Sequence, residues 1–218
     1  MKGQGMDSTN TRKFEAEGVR GVWRSPVGAS RGGLILAHGA GSHCEAPLLV
    51  AAASAFAAAG WQTLRIDLPF RQRRPSGPPP RGSGPADRDG LRRAVDAMRG
   101  SAQGPVVLGG HSYGGRQATM LAAENSWLAD ALLLLSYPLH PPRRPDEPRT
   151  GHFPQIRVPA VFVHGSSDAF GSPAELEAAL AQIPASVKLL VVPAAGHDLK
   201  GGRIDFAPAI GALMERVG

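Results

Sequence analysis

Short apolar runs recur along this chain and are separated by longer segments rich in helix-forming residues. Several runs, among them residues 33–37 and 131–135, are apolar throughout, which is typical of strands covered on both faces. The pattern predicts strands at residues 19–23, 33–37, 62–66, 105–108, 131–135, 159–163 and 187–192. It predicts helices at residues 46–59, 88–99, 116–124, 173–182 and 206–217.

This regular alternation of strand and helix predicts an α/β fold with a mostly parallel central sheet and helices on both faces. Residues 1–12 contain almost no side chain that could be buried, so we expect a disordered N-terminal tail there. Residues 13–218 then form a single domain, which suits a chain of 218 residues. In such sheets the active residues lie on loops that leave the carboxyl ends of the strands.

Composition excludes several classes of protein. No apolar run approaches the roughly 20 residues that span a bilayer, and residues 1–10 are polar and glycine-rich, unlike a secretory signal. The single cysteine, Cys44, cannot form an internal disulfide and has no partner cysteine for zinc. We therefore expect a cytoplasmic protein with no membrane contact, no metal and no cofactor.

The net charge of +6 raises the alternative of a nucleic-acid-binding protein. Residues 71–93 hold seven arginines against Asp87 and Asp89, so this one segment carries +5 of that charge. It lacks interleaved aromatic residues for base stacking and offers no groove-entering helix in its proline-rich part. We expect no nucleic-acid partner, and the arginine excess also fits a GC-rich genome.

One motif in the sequence indicates a catalytic residue. Residues 110–114 (GHSYG) fit the pattern G-x-S-x-G, and they lie between a predicted strand and a predicted helix. This is the context of a nucleophile elbow, a turn so sharp that residues two positions either side of the serine must be glycine. The motif predicts that Ser112 is a nucleophile at the head of a helix, where backbone N–H groups favour a developing oxyanion.

A serine hydroxyl needs a base, and the base needs a carboxylate that orients it. Enzymes with this elbow carry the acid and then the histidine later in the chain. Asp168 and His197 each follow a predicted strand in that order, so we predict that they act with Ser112. The alternatives are a turn or N-cap role for Asp168 and an exposed loop position for His197.

Two backbone donors are needed to bind the oxyanion. The residue after the nucleophile, Tyr113, supplies one, and the glycine-rich loop of residues 38–42 (HGAGS) supplies the other through Ala40 N–H. That loop lacks the lysine and the spacing of a phosphate-binding P-loop. Arg71 leaves the strand end that faces the site, so we expect it to bind an anionic part of the substrate.

Together these residues resemble the α/β-hydrolase superfamily, and the compact chain is similar to dienelactone hydrolases. More narrowly, it resembles the hydrolase-like group that includes the testis-expressed protein and the histone-acetyltransferase-complex subunit of animals. The resemblance covers about residues 34–209 and rests on residues 36–41 (LAHGAG), 109–116 (GGHSYGGR), 136–140 (SYPLH), 165–168 (GSSD) and 196–197 (GH). It implies the same three catalytic residues and two-donor oxyanion hole, but no particular substrate.

The expected function is a serine hydrolase of the carboxylesterase type, which cleaves an ester-like or other acyl bond of a small molecule through an acyl-enzyme. Only about twenty residues separate the strand at 131–135 from the next strand, so no cap domain is expected and the site should be open. Thioester and lactone substrates pass through the same kind of intermediate and stay open. A non-catalytic interaction module on the same fold is the other alternative, because a fold alone does not establish activity.

Overall fold

The computed structural model describes residues 11–217 and contains one eight-stranded sheet. The strands are β1 (Thr11–Ala16), β2 (Val19–Arg24), β3 (Gly33–Ala37), β4 (Gln62–Asp67), β5 (Val106–His111), β6 (Ala131–Leu135), β7 (Ala160–Gly165) and β8 (Val187–Val192). The helices are α1 (Pro47–Ala58), α2 (Pro69–Arg73), α3 (Gly84–Arg99), α4 (Tyr113–Glu124), α5 (Pro173–Leu180) and α6 (Ala207–Val217).

The strands lie in the order β1-β2-β4-β3-β5-β6-β7-β8. The pairs from β4 to β8 are parallel, whereas β2 pairs antiparallel with both β1 and β4. The carboxyl ends of six strands therefore meet at one edge of the sheet. This is the edge at which α/β sheets place their active residues.

Both faces of the sheet are covered, which explains the continuous apolar runs. In β3, Leu34 and Leu36 pack with α1 and α6, while Ile35 and Ala37 pack with α3 and α4 on the opposite face. All four side chains are fully buried. The expected mostly parallel sheet with helices on both faces is confirmed.

Every predicted strand and helix is present, with ends shifted by a few residues, and one further strand and one further α-helix were not predicted. Strand β1 has a polar sequence and lies at the sheet edge, so no apolar pattern signals it. It begins at Thr11, inside the predicted tail of residues 1–12, and residues 1–10 of that tail lie outside the described residues. Helix α2 lies where the proline-rich composition suggested irregular structure.

The connection between β6 and β7 forms no separate domain. It comprises residues 136–159 and contains one 3₁₀ turn, Phe153–Gln155. The carboxyl edge of the sheet is therefore left without a cap domain, as expected. Within residues 11–217, no helix is both long and apolar enough to cross a membrane.

Candidate active site

Ser112 lies at a sharp turn between β5 and α4. Its φ of 51° is in the left-handed region, which non-glycine residues rarely adopt. Its N–H donates to Leu135 O at 3.0 Å, so the turn is tied to the neighbouring strand β6. The serine is thereby held at the N-terminus of α4, as the motif predicted.

Close backbone contacts explain the glycines on either side of the serine. A Cβ atom at Gly110 would lie 2.4 Å from Ala37 O, and one at Gly114 would lie 2.6 Å from the same oxygen. Gly114 N–H also donates to His38 O at 3.1 Å. The elbow therefore packs directly on the end of β3, where there is no room for side chains.

Three predicted residues form one hydrogen-bonded chain. Ser112 Oγ lies 2.8 Å from His197 Nε2, and His197 Nδ1 lies 2.8 Å from Asp168 Oδ2. A carboxylate only accepts, so Nδ1 carries the proton and Nε2 is free to accept the serine proton. Residues from the ends of β5, β7 and β8 thus meet at one point, although 85 positions separate Ser112 from His197.

The carboxylate of Asp168 is fully buried and has defined partners. Burial by itself raises its pKa, but the hydrogen bond and charge of His197 and the N–H of Phe170, at 2.8 Å, outweigh burial and hold the pKa below its ordinary value. Asp168 therefore stays ionised at neutral pH. An ionised carboxylate at this position orients the imidazole and stabilises its protonated form.

Two aromatic side chains flank His197. The ring of Phe170 lies 4.2 Å from the imidazole, and the ring of His111 lies 5.1 Å from it. His111 Nε2 donates to His197 O at 2.8 Å, because a carbonyl can only accept. Burial above all lowers the pKa of His111 to about 4, so this second imidazole is neutral at physiological pH and adds no charge beside His197.

The expected oxyanion donors are available. Among residues 11–217, no hydrogen bond uses the N–H of Ala40 or Tyr113. Ala40 belongs to a tight turn in which Ser42 N–H donates to Gly39 O at 3.0 Å. Both Ala40 and Ser112 line the same cleft, and Tyr113 begins the helix that follows the serine.

The cleft at Ser112 has a volume of about 500 Å³ and mostly apolar walls. The apolar walls come from Ala40, Ala46, Pro47, Leu48 and Phe170. No lysine or arginine of the described residues lines it, whereas Asp198 does. A cleft of this kind suits a small, uncharged, apolar group.

A second cavity, of about 600 Å³, lies away from these groups. It is bounded by β8, residues 203–206 and the first turn of α6, and it contains neither Ser112 nor His197. The smaller cleft is the candidate site, because it is the one that joins a nucleophile to a base and to free donors.

Arg71 does not lie in the cleft. It is only 3% exposed, and it donates to the carbonyl oxygens of Ala40, Ser42, Arg74 and Gly77 at 2.7–3.0 Å. This position differs from the substrate-contacting role expected from the sequence. The position of Arg71 after a strand does not show whether its guanidinium will bind a substrate or backbone carbonyls, and for this reason the sequence was misleading.

Asp67 and Cys44 have structural roles. Asp67, at the end of β4, accepts Cys44 N–H at 2.9 Å and pairs with Arg20 of β2, so it ties the loop of Cys44 to the sheet. Cys44 is buried, and burial, with the nearby Asp67, raises the pKa of its thiol to about 12. A thiol held protonated in this way is a poor nucleophile.

Two residues of the site escaped sequence reasoning. Phe170 lies two positions after Asp168 and follows no motif. Asp87 is fully buried and accepts Tyr113 Oη–H at 2.7 Å and Phe70 N–H at 3.0 Å, linking α3 to the elbow. The sequence feature that could have indicated the buried role of Asp87 is its position on the apolar side of the amphipathic helix α3.

Much of the basic segment is neutralised or buried. Arg88 pairs with Glu124 at 2.9 Å, and Arg92 and Arg93 both pair with Asp89. Arg71 is buried behind the cleft, whereas Arg73, Arg74 and Arg81 are exposed. The absence of a nucleic-acid partner stays a prediction.

Comparison with known proteins agrees with this architecture. The family model for the alpha/beta hydrolase domain matches residues 30–206, more than half of the chain. The fold is similar to a dienelactone hydrolase from Anabaena variabilis ATCC 29413, with 23% identity, a TM-score of 0.65 and coverage of 94% of this chain and 95% of that one.

Two further solved structures share the fold. An alpha-beta serine hydrolase homologue from Coxiella burnetii has 18% identity and a TM-score of 0.70, covering 88% of this chain and 90% of that one. A serine hydrolase without a lid from Xanthomonas campestris has 16% identity and a TM-score of 0.65, covering 96% and 93%. At these identities the likeness establishes the fold and not the substrate.

Proposed function

Because this chain belongs to the alpha/beta-hydrolase family and is a dienelactone-hydrolase-like hydrolase, we propose that it cleaves ester-like or other acyl bonds with Ser112 as nucleophile. His197 is the general base and acid, and Asp168 orients it. The observation that carries the proposal is the unbroken chain of hydrogen bonds from Asp168 through His197 to Ser112 at the wall of an open cleft.

The reaction proceeds in two halves. Ser112 Oγ attacks the carbonyl carbon while its proton passes to His197 Nε2, and the carbonyl oxygen becomes an oxyanion bound by Ala40 N–H and Tyr113 N–H. The bond to the leaving group then breaks, and His197 delivers the proton to that group. A water molecule, deprotonated by His197, attacks the resulting acyl-enzyme and releases the acid, and the proton returns to Ser112.

The cleft supports a small-molecule substrate with a short, apolar and uncharged acyl group. Its volume of about 500 Å³ and its open mouth suit a small ester better than a long lipid chain. The carboxylate of Asp198 and the lack of a lining cation among the described residues disfavour an anionic group next to the scissile bond. Thioesters and lactones are further candidates, since they form the same tetrahedral oxyanion, and a cytoplasmic location stays a prediction.

A fluorophosphonate probe tests the nucleophile directly, with the labelled residue identified by mass spectrometry. We expect labelling at Ser112, loss of labelling in Ser112→Ala, and normal labelling in Cys44→Ser, which removes the other candidate nucleophile. Hydrolysis of p-nitrophenyl acetate should show the same pattern. A folded wild-type protein that neither reacts with the probe nor hydrolyses esters would favour the non-catalytic interaction module.

A further inference from the structure

The loop that carries Ala40 has little intrinsic rigidity. Ala40 stands between Gly39 and Gly41, and a Cβ atom at Gly41 would meet nothing within 4 Å. Glycine has the widest range of backbone conformations, so the two peptide groups around Ala40 can rotate at little steric cost. A donor aimed at a developing oxyanion must nevertheless be fixed in advance to be effective. Contacts from outside the loop must therefore hold it.

The first of these contacts acts on the peptide group between Gly39 and Ala40. Gly39 O accepts from Ser42 N–H at 3.0 Å and from His38 Nδ1 at 2.8 Å, and His38 Nε2 accepts Leu68 N–H at 3.1 Å. In a trans peptide the N–H points away from the carbonyl oxygen. Binding Gly39 O from two sides therefore aims Ala40 N–H the opposite way.

The second contact acts on the next peptide group. Arg71 Nη2 donates to Ala40 O at 3.0 Å, and its Nε donates to Ser42 O at 2.7 Å. Nη1 and Nη2 also donate to Arg74 O and Gly77 O, so four carbonyls hold one buried guanidinium in place. Because arginine presents its donors in a rigid fork, the two loop carbonyls are fixed relative to each other.

The charge of Arg71 is not cancelled by an acidic neighbour. Among residues 11–217, no carboxylate lies within ion-pair distance of its guanidinium. A buried cation is ordinarily paired, because the loss of its hydration is costly. Here four backbone carbonyls and the ring of Phe70, whose centroid lies 5.0 Å from Arg71 Cζ, surround the guanidinium, and the positive charge stays next to the loop that carries Ala40.

The segment that bears Arg71 also contacts the second donor residue. The ring of Phe70 packs edge to face on that of Tyr113, with 5.7 Å between centroids, and Phe70 N–H shares the carboxylate of Asp87 with Tyr113 Oη. Helix α2 thus contacts both the loop of Ala40, through Arg71, and the side chain of Tyr113, through Phe70.

We propose that Arg71 is a positioning residue of the oxyanion hole. Its guanidinium, through Ala40 O and Ser42 O, holds Ala40 N–H where the oxyanion forms, and its charge favours that oxyanion. The expected effect on kcat rests on the proposed function. In this proposal Arg71 helps to stabilise the transition state through the loop and does not contact the substrate.

The test compares Arg71→Met with Arg73→Met, which removes the same charge from an exposed position on the same helix. With p-nitrophenyl acetate we expect Arg71→Met to lower kcat by about 10²-fold, the usual loss for one oxyanion donor, while KM changes less than twofold. Affinity for ethylboronic acid, which mimics the tetrahedral intermediate on the serine, should fall by a similar factor.

Arg71→Lys is a second variant that keeps the proposal testable if Arg71→Met does not fold. A lysine keeps the charge but cannot bind four carbonyls in one plane, so it should recover only part of kcat. Urea unfolding of all three variants identifies the folded ones. The proposal would be overturned if folded Arg71→Met kept the wild-type kcat. It would also be overturned if the variant raised KM and left the affinity for the boronic acid unchanged.

A measurement that needs no activity separates this proposal from the proposed function. The ¹⁵N order parameter of Ala40 should be near 0.85 in the wild type, in Arg73→Met and in Ser112→Ala, and should fall below about 0.6 in Arg71→Met. If the wild type proves inactive, the proposed function fails, and the order parameter still decides whether Arg71 positions Ala40 N–H. An unchanged value in Arg71→Met contradicts the inference.

Discussion

The aromatic ring of Phe170 lies against the imidazole of His197, with 4.2 Å between ring centroids and 31° between ring planes. The same residue donates its N–H to Asp168 at 2.8 Å. Phe170 therefore contacts both His197 and the carboxylate that orients it. Its ring packs against the imidazole, which remains partly exposed.

We expect Phe170→Ala to lower kcat by roughly 3- to 10-fold, since an aromatic pair of this kind contributes about 0.5–1.5 kcal/mol. The backbone N–H to Asp168 persists in the variant, so the loss comes from the ring alone. Phe170→Tyr keeps the ring and should retain most of the activity. Steady-state hydrolysis of a neutral ester measures both variants, and equal rates for Phe170→Ala and wild type would show that the ring is dispensable.

Ser112, His197 and Asp168 should behave as one unit. Removal of His197 is expected to cost on the order of 10³-fold or more in kcat, and the additional removal of Ser112 should add little. Asp168→Asn should also be severe, because the amide favours the wrong imidazole tautomer. Losses that simply multiply in the Ser112/His197 double variant would contradict a shared relay.

The elbow glycines are required by space and not by flexibility. Gly114→Ala would place Cβ 2.6 Å from Ala37 O, so we expect a loss of at least about 2 kcal/mol in the free energy of unfolding. Gly211 lies in α6 with open space around its Cα and is the matched control. Gly211→Ala should stabilise the protein by about 0.5–1 kcal/mol, because alanine favours a helix. Urea unfolding of the two variants measures both effects.

His111 links stability to pH. Its folded-state pKa of about 4 lies below the ordinary value near 6.5, so the unfolded chain binds the proton more tightly. The stabilisation is present above about pH 6.5 and is lost as pH falls toward 4. His111→Gln keeps a donor for His197 O. When the pH falls from 7 to 5, the free energy of unfolding of this variant should decrease by on the order of 1 kcal/mol less than that of the wild type.

Urea unfolding at several pH values tests this link. Between pH 7 and pH 8 the wild type and His111→Gln should show nearly the same pH dependence, because His111 is mostly neutral in both the folded and the unfolded states there. Identical curves down to pH 5 would mean that the imidazole of His111 becomes protonated as readily in the folded protein as in the unfolded chain.

The carboxylate of Asp198 should select against anionic substrates. We expect Asp198→Asn to raise kcat/KM for a carboxylated ester several-fold at low salt and to leave a neutral ester unchanged, since asparagine can keep the hydrogen bond from Lys200 N–H. The gain should shrink as salt rises and screens the charge. A gain that is equal for both esters would point to a change of cleft shape instead.

Local chemistry explains why much of this site can be predicted from sequence. The elbow is encoded by Gly110, Ser112 and Gly114 between a strand and a helix, because a sharp turn imposes its own steric rule. Asp168 and His197 follow the ends of apolar strands, and parallel strands bring those ends to one edge. In the structure the side chains of Asp168 and His197 lie within hydrogen-bond distance of each other.

Tertiary structure decided what depends on distant backbone. The same arginine could have faced the cleft, and only the position of the loop carbonyls of Ala40 and Ser42 turns Arg71 inward. Phe170 and Asp87 likewise have their roles because of what packs beside them. Sequence determined which residues can carry the chemistry, because side-chain type and local turns are encoded locally. The fold determined which residues hold them, because hydrogen bonds to carbonyls depend on where the chain lies and not on its residue types.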